Sequence, residues 1–224
     1  MKKSIKTTLL ITSLLGSSAI VQAADYGVTL NWNTTDADKV LSMMDEQRSA
    51  FGELIKNKEI KDMFLVESEI DGKLMGILRF VIEADNEKGV EDKLSYLPFY
   101  KENLVKIEHI QPLGGKWLDN TPSNKNYGLM FKWEADINVL EMDRVIGIDL
   151  QRVIALNKSG LVTSSYIDTQ TVKDGSTRPT YSVSIMAKDE DHARELSQQF
   201  EAVSLGYAKV EVMYLGYKIN MKAL

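Results

Sequence analysis

The stretch LPFYKENLVKIEHIQPLG, residues 97–114, decides the fold because its pattern returns later in the chain. The second stretch is FEAVSLGYAKVEVMYLG, residues 200–216. In each one a helix-like segment leads into alternating apolar and polar residues, and the run closes on a Leu-Gly pair. Such alternation is typical of a strand with one buried face. The chain is therefore expected to contain one structural unit twice.

The repeat is clearest at the start of each copy. The run from Tyr26 to Trp32 lies over the run from Tyr127 to Trp133, and Tyr, Gly and Trp match without a gap. Two copies of roughly 100 residues are too long and too few for a solenoid, so they indicate a tandem duplication. We assign residues 24–114 to the first repeat and 127–224 to the second. Residues 115–126, rich in Asn, Ser and Pro, are the predicted linker.

Within one copy the patterns predict the order βαββαβ. A strand ending at Trp32 is followed by a helix, a hairpin that turns at Asp71-Gly72, a second helix that ends before Pro98, and a fourth strand. This order is typical of the ferredoxin-like plait, an antiparallel sheet with both helices on one face. The other face needs a cover. We therefore expect an α+β fold in which the two repeats pack sheet to sheet as an intramolecular dimeric α/β barrel.

Residues 1–23 have the features of a secretory signal peptide. Three lysines precede an uncharged run from Thr7 to Ile20, and Ala23 ends a short segment with small residues where a signal peptidase cuts. A membrane anchor is disfavoured because the run is shorter than the roughly 20 residues that a spanning helix needs. We expect cleavage after Ala23 and a periplasmic or secreted product with no membrane span.

Composition excludes several classes of function. The chain has no cysteine and two histidines, which excludes thiolate catalysis, Cys-ligated metal and a His-rich metal site. It carries 32 Asp and Glu against 27 Lys and Arg, with no basic cluster after the signal, so nucleic acid and anionic lipid are poor partners. No nucleophile motif or Gly-rich phosphate loop appears. We therefore expect a small-molecule ligand, no cofactor and no metal.

Strand parity divides the residues of each sheet between the helix side and the barrel interior. On the fourth strand it places His109 among the helix-facing residues, where a core histidine is favoured over a catalytic one. The opposite rows should line the lumen and carry both signs of charge. The candidate lumen residues are Asn31, Arg79, Lys106, Glu108, Lys132, Ser182, Ser184 and Glu211.

Two pairs of equivalent residues are predicted on the helix side of the sheets. Trp32 and Trp133 fall on the helix-facing row of the first strand of each copy, and core packing is the favoured reading. Arg48 and Arg152 interrupt apolar helical stripes. A guanidinium that faces a ligand is one reading, and an arginine that covers the sheet edge with its aliphatic stem is the favoured one.

At the first stretch the sequence resembles the muconolactone isomerase family. The residues that carry the resemblance are Leu97-Pro98 with the aromatic Phe99, then Ile107-Glu108 and Leu113. They are similar to a Leu-Pro-aromatic segment before a strand with Ile-Glu and a nearby Leu in that family. The second copy lacks the Leu-Pro pair. The resemblance implies the dimeric α/β-barrel superfamily and a small organic acid or lactone as ligand.

The lumen residues supply a chemistry for that ligand. Glu108 and Glu211 are candidate general bases for moving a proton next to a carbonyl, and Arg79 is the candidate cation for the enolate. The candidate substrate-binding residues are Lys106, Asn31, Lys132, Ser182 and Ser184. The predicted function is binding, with isomerisation by cofactor-free proton transfer, of a small acid or lactone.

Other readings stay open at this point. The paired Lys and Glu residues of the last strands are equally typical of a structural salt-bridge ladder. The chain would then be a non-catalytic ligand-binding or sensing module, or a structural interaction protein of the bacterial envelope. Whether it is an enzyme is left undecided. Either a monomer with a pseudo-dimeric barrel or a homo-oligomer is compatible with the repeat.

Overall fold

A computed structural model describes residues 23–120, 124–134, 137–172 and 175–223. The predicted signal peptide therefore lies outside the described residues, apart from Ala23. Within the described residues, strands and helices alternate as an α+β chain. The strands are β1 (Ala24–Trp32), β2 (Ile60–Ile70), β3 (Lys73–Ala84), β4 (Val105–Asp119), β5 (Lys125–Trp133), β6 (Val162–Thr171), β7 (Thr177–Met186) and β8 (Ala208–Lys218).

The helices begin at local capping signals in the sequence. The Asn86 side chain accepts a hydrogen bond from the Gly89 backbone N–H at 2.9 Å, and Asp189 accepts one from the His192 N–H at 2.8 Å. Such caps satisfy backbone donors that the first helical turn leaves free. The helices are α1 (Ala37–Ser42), α2 (Met44–Lys56), α3 (Glu87–Leu94), α4 (Pro98–Lys101), α5 (Val139–Lys158), α6 (Glu190–Ser197) and α7 (Glu201–Ser204), followed by a 3₁₀ turn at Met221–Ala223.

The strands of the described residues form one closed antiparallel barrel. Their order around it is β1-β3-β2-β8-β5-β7-β6-β4. Each half therefore keeps the order of a ferredoxin-like sheet, with its first and third strands in the middle. The predicted α+β class is confirmed, and the strand order is compatible with the predicted tandem repeat. The predicted hairpin at Asp71-Gly72 is also confirmed, since β2 and β3 pair up to Ile70 and Lys73.

The two halves close one barrel, as expected, and the edges of their two sheets are hydrogen-bonded to each other. β2 pairs with β8 at Phe64–Lys218 and Leu65–Tyr217, and β4 pairs with β6 through residues 115–119. The β4–β6 contact forms because β4 has 15 residues and runs on to Asp119, through the first five residues of the segment predicted as a linker. We refer to these two contacts as the β2–β8 seam and the β4–β6 seam.

Each seam begins one residue after the glycine of a repeated Leu-Gly pair. Gly114 and Gly216 have backbone φ angles of 74° and 99°, a region that glycine enters without steric cost. A Cβ atom on Gly114 would lie 2.1 Å from the carbonyl oxygen of Ile167, and one on Gly216 would lie 2.3 Å from that of Leu65. The last strand of each half thus approaches the other half closely at a residue where no side chain fits.

A buried network of charges lies across both seams. The carboxylate of Asp62 is fully buried, and its Oδ1 lies 3.0 Å from the Nζ atoms of both Lys116 and Lys218. Its Oδ2 accepts a hydrogen bond from the hydroxyl of Tyr166, whose pKa is raised by burial and by the Asp62 charge. Lys218 Nζ also lies 2.8 Å from Asp119 Oδ1. The network therefore links β2, β4, β6 and β8.

Candidate functional site

A cavity of about 560 Å³ lies between α2 and the helix-facing side of the first sheet. Its volume falls within the range of roughly 300–1,000 Å³ that small-molecule and cofactor sites occupy. The walls are mostly apolar, as ligand pockets usually are, and we refer to this space as the helix–sheet cavity. Its apolar lining includes Leu30, Phe51, Ile55, Ile77, Leu78 and Phe99.

The cavity exists because the two repeats differ in side-chain volume. In the second half, Phe131 of β5 and Tyr181 of β7 stack with ring centroids 4.4 Å apart and fill the space above the sheet. The Tyr181 hydroxyl also donates a hydrogen bond to Asp149 of α5 at 2.7 Å. The equivalent positions in β1 and β3 of the first half are Leu30 and Leu78, and both line the helix–sheet cavity. Smaller side chains at these positions leave room for a ligand.

An indole donor in the cavity wall lacks a protein partner. Trp32 lines the helix–sheet cavity, and its Nε1 is buried without a hydrogen bond to any described residue. The equivalent Trp133 donates from Nε1 to the carbonyl of Pro179 at 2.8 Å. A buried donor without a partner costs about 1–3 kcal/mol. The core-packing prediction holds for both tryptophans, since Trp32 also packs against the first core, but Trp32 has a buried N–H group without a partner.

Two methionine thioethers and one arginine guanidinium also line the cavity. Met44, at the start of α2, and Met63, on β2, both line it, and Met63 is 5% exposed. Arg48 lies at the rim with its side chain 74% exposed. The favoured reading of Arg48 as an arginine that only covers a sheet edge therefore misses its position beside the opening. Gln47 is held in place, since its Oε1 accepts from the Phe99 N–H at 2.9 Å.

The barrel interior holds a second, smaller cavity of about 80 Å³, the lumen cavity. Three predicted lumen residues meet there, Arg79 of β3 with Ser182 and Ser184 of β7. The desolvation of Arg79 lowers its pKa below the usual range for arginine, while the charge of Glu108 acts in the opposite direction. The structure thus brings a cation and two hydroxyls together inside the barrel.

The remaining predicted site residues do not join that cluster. Lys132 and Glu211 form an ion pair at 2.7 Å with both side chains about half exposed, as the salt-bridge reading expects. Lys106 and Glu108 are exposed on β4, and Asn31 is paired with Lys106 in the β1–β4 ladder. Among the described residues no two of the proposed catalytic groups Glu108, Glu211 and Arg79 form an ion pair.

The prediction for His109 is wrong because β4 contains an irregularity. The β1–β4 register shifts between Thr29, opposite His109, and Leu30, opposite Ile107. Glu108 is the extra residue, and such a bulge reverses the faces of the residues that follow it. His109 therefore lines the lumen cavity, with Nε2 3.3 Å from Gln111 Oε1, whereas the helix-side core contains residue 110 in its place.

Two further features are absent from the described residues. No three His, Asp or Glu side chains within the described ranges are grouped so that they could hold a metal ion. No helix in the part of the chain that the structure describes is long and apolar enough to cross a membrane.

Comparisons with known proteins give a fold and no family. No family model matches the sequence, and no curated protein matches it. Among solved structures, a heme-binding protein from Thermus thermophilus is similar, with a TM-score of 0.54 and 11% identity over 90% of this chain and 92% of that one. A mutant chlorite dismutase from Candidatus Nitrospira defluvii has a TM-score of 0.56 and 11% identity over 90% and 94%. At these identities the likeness shows the fold.

The resemblance to muconolactone isomerase is wrong, and so is the isomerase function drawn from it. Solved structures that match over most of the chain include a heme-binding protein and a chlorite dismutase. The residues that carried the resemblance have a local explanation. Pro98 lies in the first turn of α4, where proline is favoured, and Ile107 packs on the helix-side core. Such residues indicate a ferredoxin-like unit without specifying its family.

Proposed function

We propose that this chain binds heme in the helix–sheet cavity. One observation carries the proposal: a cavity of about 560 Å³ with apolar walls contains two thioethers, in a fold shared with a heme-binding protein. A planar, mostly apolar ligand suits such walls. The exposed guanidinium of Arg48 at the rim would pair with a carboxylate of the ligand, and the free Trp32 N–H would donate to a buried acceptor.

Among the described residues that line this cavity, methionine is the only type that could ligate heme iron. Proteins hold heme iron through His, Cys, Met or Tyr. Neither histidine lies in the helix–sheet cavity, because His109 lines the lumen cavity and His192 accepts a hydrogen bond from the Lys188 N–H at 3.2 Å. Met44 and Met63 are therefore the residues that would hold the iron. Methionine ligation raises the reduction potential of heme, which favours binding or electron transfer in the reduced state.

Replacing either methionine by leucine is expected to weaken heme binding. Met63→Leu and Met44→Leu keep the apolar volume and remove the sulfur, so the fold is retained. We expect the wild-type chain, without its first 23 residues, to bind one heme with a shifted Soret band. Each variant should raise Kd by roughly tenfold or more, which is about 1.4 kcal/mol.

The matched control is Met75→Leu, which makes the same change at a buried methionine of the first core that does not line the cavity. Its Kd should equal that of the wild type. A wild-type chain that takes up heme without saturation would contradict the proposal. Equal affinities for all three variants would place any bound heme elsewhere.

Narrowing the cavity through its helix wall is expected to block binding without unfolding the protein. Gly52 lies in α2 and lines the cavity, and a Cβ atom there would meet nothing within 4 Å. Gly52→Leu therefore adds a side chain at the opening, and a helical glycine that gains a side chain stabilises its helix by about 0.5–1 kcal/mol.

Gly147→Leu is the control for this variant, because Gly147 lies in α5 and also has open space at its Cβ position. Both variants should melt no lower than the wild type, and only Gly52→Leu should lose heme in the absorption titration. Unchanged heme affinity in Gly52→Leu would exclude the helix–sheet cavity.

Export and duplication belong to the same proposal. The signal-like residues 1–23 support a periplasmic or secreted protein, which cell fractionation would test. The matching caps and the Leu-Gly pairs at both seams support descent from a tandem duplication in which the first repeat kept room for a ligand. The proposal concerns heme binding and assigns no catalytic activity to the heme-bound protein.

A further inference from the structure

The guanidinium of Arg79 lacks a protein partner inside the barrel. Arg79 lies on β3 between Thr29 of β1 and Phe64 of β2, and it lines the lumen cavity. Its Nη1 is buried and makes no hydrogen bond to any described residue. No carboxylate of the described ranges lies within ion-pair distance of it. A buried charged donor without a partner is costly, so a partner of opposite charge would be stabilising.

The groups around Arg79 can complete such a site. The hydroxyl side chains of Thr29, Ser182 and Ser184 line the same cavity, and Thr29 and Ser184 are 8% and 5% exposed. Hydroxyl groups donate hydrogen bonds to anions. The rest of the lining is mostly apolar and includes Phe64 and Met213. A charge-assisted hydrogen bond in such surroundings is stronger than one in water.

The volume of the lumen cavity limits the size of the anion. A single water needs about 10–15 Å³, so a cavity of about 80 Å³ has room for one small ion together with a few waters. A halide or a triatomic ion such as nitrite or thiocyanate is compatible with that space. Sugar acids and aromatic acids are too large.

A path from solvent reaches the cavity where β4 and β6 separate. These strands pair only through residues 115–119 of β4, and beyond that point a cleft of about 270 Å³ opens between them. The cleft and the lumen cavity share Gln111, Met130 and Ser182 among their lining residues. Lys132 and Asp168 both line the cleft, so its wall carries both signs of charge.

We propose that the barrel lumen binds one small monovalent inorganic anion, held by Arg79 and the hydroxyls of Thr29, Ser182 and Ser184. The site is separate from the helix–sheet cavity, since no residue lines both. The anion proposal can therefore be tested independently of heme binding.

The test compares bromide with gluconate, an anion too large for the lumen, as sodium salts at equal ionic strength. The melting temperature of the wild type should be several degrees higher in bromide. Arg79→Gln should abolish this difference and, in gluconate, should melt no lower than the wild type because it removes a half-buried guanidinium whose Nη1 has no hydrogen-bond partner. Arg152→Gln, which removes an exposed arginine of α5, should retain the bromide effect.

A crystal of the wild-type protein soaked in bromide provides an independent measurement. Anomalous scattering should show one bromide beside the Arg79 guanidinium, a result that does not depend on how well the variant folds. The same bromide effect in Arg79→Gln as in wild type, or no anomalous peak in the barrel, would overturn the proposal. Heme titration of Arg79→Gln should match wild type, which separates the two sites.

Discussion

Lys218→Met is expected to lower the free energy of unfolding by about 3–5 kcal/mol, the usual effect of removing one partner from a buried ion pair. The Lys218 side chain is 2% exposed, and its Nζ lies 3.0 Å from Asp62 and 2.8 Å from Asp119. It also donates to Ser164 Oγ and to the Thr163 carbonyl, each at 2.7 Å. Methionine fills much of the same volume but leaves these buried acceptors without a donor.

The control is an ion pair of the same type that is exposed to solvent. Lys132 lies 2.7 Å from Glu211 with both side chains about half exposed. Lys132→Met should therefore cost under about 1 kcal/mol. Urea unfolding measures both values. Equal losses in the two variants would show that the buried network does not hold the seams together.

The pH dependence of the same variant follows from Asp119. Burial by itself raises the pKa of Asp119, but the hydrogen bond and charge of Lys218 outweigh it and place the pKa below the ordinary 3.8. A carboxyl with a lowered pKa contributes stability above its unfolded pKa and loses it as the pH falls through the folded pKa. The difference between wild type and Lys218→Met should therefore narrow as the pH falls below 3.8.

The strand order could be predicted because its signals are local. Alternation in β1 and β4 identifies strands, Asp71-Gly72 identifies the hairpin, and the matched runs at Tyr26 and Tyr127 reveal the second copy. The seam network could not be predicted in this way. Asp62 and Lys218 are far apart in sequence, and a charged residue at a strand end is ordinarily exposed.

The face of the sheet predicted for His109 was wrong for a related reason. Alternation predicts which face of the sheet a residue lies on only where the strand pairing is regular. One extra residue at Glu108 reverses the faces of the residues that follow it. Nothing in the run Lys106-Ile107-Glu108 distinguishes a bulge from a regular strand. The same parity placed Arg79, Ser182 and Ser184 on the lumen side, because the register shift beside Ser184 puts its extra residue in β6 and leaves β7 regular.

The helix–sheet cavity was missed although the sequence contained its signal. Aligning the two copies places Leu30 over Phe131 and Leu78 over Tyr181. Each pair exchanges an aliphatic residue for a larger aromatic one on the helix side of the sheet. Two equivalent cores that differ in the same direction at neighbouring positions indicate a smaller filled volume in one of them.

Gly216→Ala is expected to destabilise the protein by about 3 kcal/mol or more, because two effects add. The φ angle of 99° is strained for any residue with a side chain. The added Cβ would also lie 2.3 Å from the Leu65 carbonyl oxygen, a backbone atom that cannot move without opening the β2–β8 seam. Gly114→Ala makes the same change at the β4–β6 seam, where the overlap is with the Ile167 carbonyl.

Gly206→Ala separates the two effects, since Gly206 has a φ angle of 72° but a Cβ there would meet nothing within 4 Å. Gly206→Ala should lower the free energy of unfolding by only about 1–2 kcal/mol, the cost of a left-handed backbone conformation for a residue with a side chain. Thermal unfolding gives the three values, and hydrogen exchange in β2 and β8 should increase in Gly216→Ala alone. If the seam variants lose no more stability than Gly206→Ala, the close approach of the two halves does not require glycine. The repeated Leu-Gly pair would then mark common descent without closing the barrel.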